Sequence, residues 1–216
     1  MTKLLRRIKA NSATVNDGLL AAYFRALGKQ AVYMEPRTIE KAIGITVDLR
    51  RYLPNQTTGA VCNLSAMEMP VIAFDPNDTF DMTLSKASQA MRFIKDNRPG
   101  LSSAVGMERL AALPLSSAKE MMGKQHDMAA QMGMALPLLT NFGFIAKTLI
   151  RFGETEAEAG YMTSPIMLSP FFSLGASTYC HTLTLCVGYH TPAVSEQDVN
   201  RLLDDMISEL TDYCFR

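Results

Sequence analysis

The chain has 216 residues, 48% of them hydrophobic, which suffices for one large domain or two small ones with a substantial core. Lysine plus arginine and aspartate plus glutamate balance at 21 each, so neither a nucleic-acid surface nor an acidic tail is indicated. No apolar run reaches the roughly 18 residues that a helical membrane span needs.

Residues 1–11 open with Met-Thr-Lys-Leu-Leu-Arg-Arg-Ile-Lys. The stretch is basic and amphipathic but lacks the apolar region and cleavage site of a secretory signal. It reads as a surface helix, or as a linker or N-terminal extension of a single domain spanning 1–216. A helix is expected from Val15 to Leu27. Thr14 is its N-cap, with Asp17 at capping-box spacing. Leu19, Leu20, Tyr23, Phe24 and Leu27 draw one apolar stripe, and Gly28 is the expected stop.

Lys41 to Leu49 alternates and is β-branched, as a strand does. Pro54 to Gly59 is a loop. Ala60 to Ala66 and Met69 to Phe74 read as strands around a break at Glu68–Pro70. Asp75-Pro-Asn-Asp is a turn leading to a helix near Thr79, with Leu84, Ala87, Met91 and Ile94 on one face. Residues 102–135 are helical but broken by Pro114, with Ser116 or Ser117 as a cap for the second piece. Leu138 to Ile145 reads as a buried strand. Tyr161 to Leu168 and Tyr179 to Tyr189 read as a hairpin pair across a long loop. A last helix starts at Ser195, with Asp198 at capping-box spacing and Val199, Leu202, Leu203, Met206, Ile207 and Leu210 as its stripe. This order suggests an α/β two-layer sandwich, helices covering a mostly antiparallel or mixed sheet.

Chemical signatures are sparse. Cys62, Cys180, Cys186 and Cys214 show no metal or disulfide spacing. They read as buried free thiols in a reducing cytoplasm, with Cys180 and Cys186 able to share one strand face. The chain has 15 methionines, and those within 107–134 read as filling an irregular core or groove. His126 falls on a helix, and His181 and His190 at strand ends. There is no G-x-S-x-G elbow, P-loop or dinucleotide glycine triplet.

Several segments, taken in order, resemble a known family. Thr14-Val-Asn-Asp-Gly-Leu-Leu-Ala-Ala resembles the helix that opens the C-terminal lobe of condensation domains and alcohol acetyltransferase-like proteins. Val47-Asp-Leu-Arg-Arg-Tyr-Leu-Pro is similar to the strand and loop that follow. Gly59-Ala-Val-Cys-Asn-Leu is similar to the Gly-x-x-x-Asn motif. Thr140-Asn-Phe-Gly resembles the Ser/Thr-Asn-x-Gly strand of the acetyltransferase-like branch. Tyr179 to Tyr189 with the final helix resembles the closing elements. The resemblance runs from about residue 12 to 213.

It implies a chloramphenicol acetyltransferase-like lobe, one of two that enclose an active-site tunnel. It also implies an acyl donor that is a thioester of coenzyme A or of carrier-protein phosphopantetheine. In the family the first lobe supplies a histidine base within His-His-x-x-x-Asp-Gly. That motif is absent from these 216 residues. The resemblance therefore implies no catalytic residue here.

Five residues are candidates for substrate contact. Asn141 sits in an apolar strand; a buried amide must find partners, so it is either a structural hydrogen bond or a tunnel-facing donor. Thr140 precedes it in the motif, and Gly143 would let a ligand approach closely. Asn63 has the same two readings as Asn141. Arg50 either pairs with Asp48 or points to a donor phosphate.

Two functional expectations follow. The chain is the C-terminal half of an acyltransferase that acts on an alcohol or amine, its missing N-terminal lobe being the partner. Or it is a non-catalytic module that forms a homo-oligomer through the surface the other lobe would cover. The helix opening at Thr14 lies so near the lobe boundary that a piece of a longer protein is expected.

Overall fold

A computed structural model of the chain describes residues 2–30, 40–131, 136–167, 171–191 and 194–215. Helix α1 (Thr2–Ala10) buries Leu4 and Ile8, four residues apart on one face. Helix α2 (Val15–Lys29) opens with the expected capping box: the Thr14 Oγ1 accepts from the Asp17 N–H at 3.3 Å, and the Asp17 Oδ2 accepts from the Thr14 N–H at 2.8 Å. Its residues from Asp17 to Phe24 are all buried, so it is a central helix rather than a surface one. Gly28 does not end it. The cap is Gln30, whose N–H donates to the Leu27 carbonyl at 3.0 Å. Gly28 is needed instead because the Phe74 ring occupies the space a Cβ would fill.

The strand expected over 41–49 is two strands. Strand β1 (Glu40–Ala42) and strand β2 (Gly44–Asp48) part at Ile43, whose N–H donates to the Pro70 carbonyl at 3.3 Å. Beyond Asp48 the chain coils into a 3-10 turn, Leu49–Tyr52, because the Asp48 Oδ1 accepts from the Arg50 N–H at 2.9 Å. The strand expected at Ala60 is also corrected: strand β3 covers only Ser65–Glu68. Before it, the Asn63 Oδ1 accepts from the Ser65 N–H at 3.0 Å, a local bond that competes with extension. Strand β4 (Val71–Ala73) pairs antiparallel with β1.

Helix α3 (Phe80–Asp96) is capped by Thr79 and buries Leu84, Ala87 and Met91. Helix α4 (Leu101–Ala111) and helix α5 (Leu115–Gln131) follow. The Pro114 carbonyl accepts from the Ala118 N–H at 3.0 Å, so Pro114 opens α5, not Ser116 or Ser117. The methionines here do not fill a core: Met107, Met121, Met122 and Met128 are exposed. Met132 and Met134 lie outside the described residues.

Strand β5 (Leu136–Phe144) is central. Strands β6 (Arg151–Phe152) and β7 (Thr155–Glu156) form a small ladder. Strands β8 (Phe171–Tyr179) and β9 (Thr182–Gly188) and helix α6 (Glu196–Phe215) close the chain. The main sheet has the order β3-β2-β5-β8-β9. Neighbours β2, β5 and β8 run parallel, and β3 and β9 flank them antiparallel. This is a mixed sheet with helices packed on it, the expected fold class.

The expected hairpin is different. Strand β9 pairs with β8 through the turn at Cys180 and His181, both at positive φ. Residues 161–167 are not a strand, and Leu168 lies outside the described residues. The segment crosses the face of β8: the Met162 N–H donates to the Ser177 Oγ at 3.1 Å, and the Ser164 Oγ to the Ser173 carbonyl at 2.9 Å. Only small residues fit beneath it. A Cβ on Gly175 would stand 3.3 Å from the Ser164 nitrogen. Those small residues gave Phe171–Tyr179 the sequence of a loop.

On the other face Phe172, Leu174 and Ala176 join Ile45 and Leu139 under α2, α3 and α6. Helix α6 adds Val199, Leu202, Met206, Leu210 and Tyr213, while Ile207 of the expected stripe is 53% exposed. Ser195 caps α6 as expected, its Oγ accepting from the Asp198 N–H at 3.1 Å. Cys180 lies in the turn and Cys186 on β9, so they do not share a strand. Cys62 and Cys180 are exposed rather than buried. Among the described residues no helix is long and apolar enough to cross a membrane, and no cluster of metal-ligating side chains occurs.

Candidate functional site

The sheet register gathers all five sequence candidates at one end. Ile45 lies level with Leu139 in the parallel β2–β5 pair, so two residues further Val47 comes level with Asn141. Asp48 faces Ser65 across the antiparallel β2–β3 pair. Thr140, Asn141, Gly143, Arg50 and Asn63 therefore share the end of the sheet where β2, β5 and β8 finish.

They do not share a face. Thr140 is level with Gly175 and Asn141 with Ala176. Ala176 is in the helix-covered core, and Gly175 lies under the Ser164 segment. Adjacent strand residues point to opposite faces, so Thr140 and Asn141 project to opposite sides of the sheet.

Asn141 is exposed, which corrects the expectation of a buried amide. The register slips between Asn141 and Gly143, a β-bulge. The Asn141 Oδ1 accepts from the Gly143 N–H at 3.0 Å, and Gly143 adopts φ +73°. This bond closes the bulge and leaves the Asn141 Nδ2 as the donor open to a ligand. Gly143 has no atom near where a Cβ would stand, so its requirement is conformational rather than steric.

The expected ion pair is present: the Arg50 Nη1 lies 3.1 Å from the Asp48 Oδ1. Both side chains are largely exposed, so the pair contributes little stability. Asn63 is exposed and bonded to its own chain at Ser65.

One group at the same end escaped sequence reasoning. Lys147 and Glu156 pair at 3.6 Å, and the Tyr179 hydroxyl donates to the Ala157 carbonyl at 2.6 Å. Neighbouring Cys180 and then Glu156 push the Lys147 ammonium above its ordinary range. Burial, then Cys180, raises the Tyr179 hydroxyl. These residues come from three separate segments, so no local spacing announced them. The end of the sheet thus offers hydrogen-bond donors and a cation. Of the histidines, His126 is on α5 and His190 follows β9, while His181 sits next to Cys180 in the β8–β9 turn at this end of the sheet.

No family model and no curated protein sequence matches the chain. Solved structures do. The trichothecene 15-O-acetyltransferase of Fusarium sporotrichioides aligns with all of this chain and 44% of its own, at TM-score 0.65 and 14% identity. An epimerization domain from tyrocidine synthetase B aligns with 99% of this chain and 45% of its own, at TM-score 0.59 and 18% identity. The first condensation domain of the calcium-dependent antibiotic synthetase aligns with all of this chain and 42% of its own, at TM-score 0.57 and 13% identity. At such identities the likeness is one of fold. The chain thus has the fold of one lobe of the condensation-domain and acyltransferase proteins, and it spans less than half their length.

Proposed function

We propose that this chain is the C-terminal lobe of a two-lobed acyltransferase. The full protein would move an acyl group from a thioester, of coenzyme A or a carrier-protein phosphopantetheine, to an alcohol or amine. The observation that carries this reading is the alignment of the whole chain with under half of each two-lobed structure. The order of the motifs from Thr14 to Tyr213 supports the C-terminal half.

In this reading the other lobe holds the base. Its imidazole takes the proton of the acceptor, whose oxygen or nitrogen attacks the thioester carbonyl. Collapse of the adduct expels the thiolate, which recovers the proton. This lobe contributes one tunnel wall and donors toward the polar groups of donor or acceptor. The Asn141 Nδ2 is the leading donor, with Thr140 on the opposite face and Gly143 shaping the bulge. Arg50, only loosely held by Asp48, is available to a donor phosphate, and Asn63 lies at the same end.

The test compares this chain alone with the polypeptide that its source gene encodes. Thiol release from acetyl-coenzyme A in the presence of alcohols and amines is the readout. Activity is expected only where a His-His-x-x-x-Asp-Gly lobe is present. Acceptor-dependent thiol release by the 216-residue chain alone would overturn the reading.

A further inference from the structure

Strand β9 is the outer strand of the five-stranded sheet. The two-residue turn at Cys180 and His181 makes Tyr179 and Thr182 the first pair of the hairpin. The backbone groups of Thr182, Thr184 and Cys186 therefore point to β8, and those of Leu183, Leu185 and Val187 point outward. Among the described residues no strand pairs with that edge.

Proteins guard such edges with charge, proline, bulges or short length. Thr182-Leu-Thr-Leu-Cys-Val-Gly has no charge and no proline, and its register with β8 is unbroken over all seven residues. Beside it lies a groove of about 550 Å³ between β9, α6 and α1. Leu183 and Leu185 line it from the strand, and Leu203, Ile207, Leu210 and Phe215 from the helix. Ile207 is 53% exposed and Phe215 70%. An unguarded edge next to an apolar groove is a surface built for an extended apolar strand.

We infer that the occupant is a second copy of this chain, its β9 pairing antiparallel with this β9 about Leu185. The strand is its own complement. Leu183 falls opposite the partner's Val187, and Leu185 opposite the partner's Leu185. Thr184 falls opposite the partner's Cys186. No like charges meet along the strand. Among the described residues that line the groove Lys3 alone is charged, so a second copy seated there meets almost no like charge. The strand and groove involve fewer residues than the roughly 20–30 per side of a standard interface, so the dimer is weak, with a dissociation constant on the order of micromolar. This inference does not rest on the acyltransferase reading, and its tests use no catalytic readout.

Sedimentation of the full chain up to about 100 µM, well above a micromolar dissociation constant, is expected to show a monomer–dimer equilibrium. Ile207→Glu with Phe215→Glu changes exposed side chains only. It should weaken dimerisation at least tenfold with unchanged circular dichroism. The register has its own test. In a background of Cys62→Ser, Cys180→Ser and Cys214→Ser, the change Thr184→Cys faces the partner's Cys186 at a non-hydrogen-bonded pair. Cα atoms there stand about 4.5 Å apart, within disulfide range. Mild oxidation should give a covalent dimer that vanishes with Cys186→Ser. A chain that stays monomeric at the top concentration and yields no cross-link overturns the inference. So does a dimer indifferent to both the groove and the cysteine variants.

Discussion

The Arg25 Nε donates to the Glu209 Oε2 at 2.7 Å, joining the centre of α2 to α6. Lys29 approaches the other carboxylate oxygen at 2.9 Å, and Arg25 also reaches the Asp78 carbonyl ahead of α3. One arginine thus links α2, α6 and the turn that leads into α3. Burial pushes the Glu209 carboxyl up, but the hydrogen bonds and charges of Arg25 and Lys29 outweigh it. The group is held below the ordinary carboxylate range.

A depressed carboxyl stabilises the fold above its unfolded pKa, and that stability is lost as pH falls through the folded pKa. Glu209→Gln is therefore expected to cost about 1–3 kcal/mol at pH 7. The difference from the parent chain should shrink below about pH 4. Urea unfolding of both proteins at pH 7 and pH 3 measures it. A gap as wide at pH 3 as at pH 7 would show that the ionised carboxylate is not its source.

Three helical glycines separate packing from propensity. Replacing a helical glycine by alanine gains about 0.5–1 kcal/mol where nothing intervenes. Gly106 and Gly123 have open space at the Cβ position, so Gly106→Ala and Gly123→Ala should each raise stability by about that amount. At Gly28 the Phe74 ring is in the way. Gly28→Ala should instead destabilise by about 1–3 kcal/mol, and adding Phe74→Leu should recover part of the loss. Thermal melts of the three variants decide the signs, and a stabilised Gly28→Ala would remove the packing argument.

Elements with their own local code were legible in the sequence. Thr14 with Asp17, Thr79 and Ser195 each announce a helix through a side chain that bonds the first turn. Strand β5 was visible as an apolar run. Elements whose form depends on distant residues were not. Phe171–Tyr179 is a strand because β5, β9 and the Ser164 segment surround it, and its small residues hide that role. Gly28 imitates a helix stop but answers to Phe74, which lies 46 positions away in the chain. The site shows the same division. The end of the sheet where Arg50, Asn63 and Asn141 meet follows from strand register. The Asn141 bulge depends on a positive φ at Gly143, which leaves only a weak trace in sequence.

Gly188 is a sharper case of dependence on a neighbour. A Cβ there would overlap the backbone of Pro165, which cannot yield as a side chain would. Gly188→Ala should displace the segment that crosses β8 and break the Ser164 bond to Ser173. A loss of about 1–3 kcal/mol is expected, together with faster proteolysis within residues 157–167. Limited proteolysis followed by mass spectrometry locates the cut. Unchanged cleavage in that window would mean that the segment does not depend on this contact.

Asn141 separates a structural from a chemical role in one residue, because its two amide atoms have different work. The oxygen holds the Gly143 N–H, and the nitrogen is free to donate. Asn141→Asp keeps an oxygen for Gly143 but loses the donor. Asn141→Ala loses both and should cost about 0.5–1.5 kcal/mol of stability. In the polypeptide that carries both lobes, a donor aimed at substrate predicts a fall in thioester transfer of about a hundredfold or more for Asn141→Asp, with stability close to that of the parent. A purely structural amide predicts the reverse: Asn141→Asp transfers normally, and Asn141→Ala is merely less stable. Turnover and unfolding measured on the same two variants separate the roles. Full activity in Asn141→Asp would remove Asn141 from the tunnel wall and leave it as the lock of the bulge.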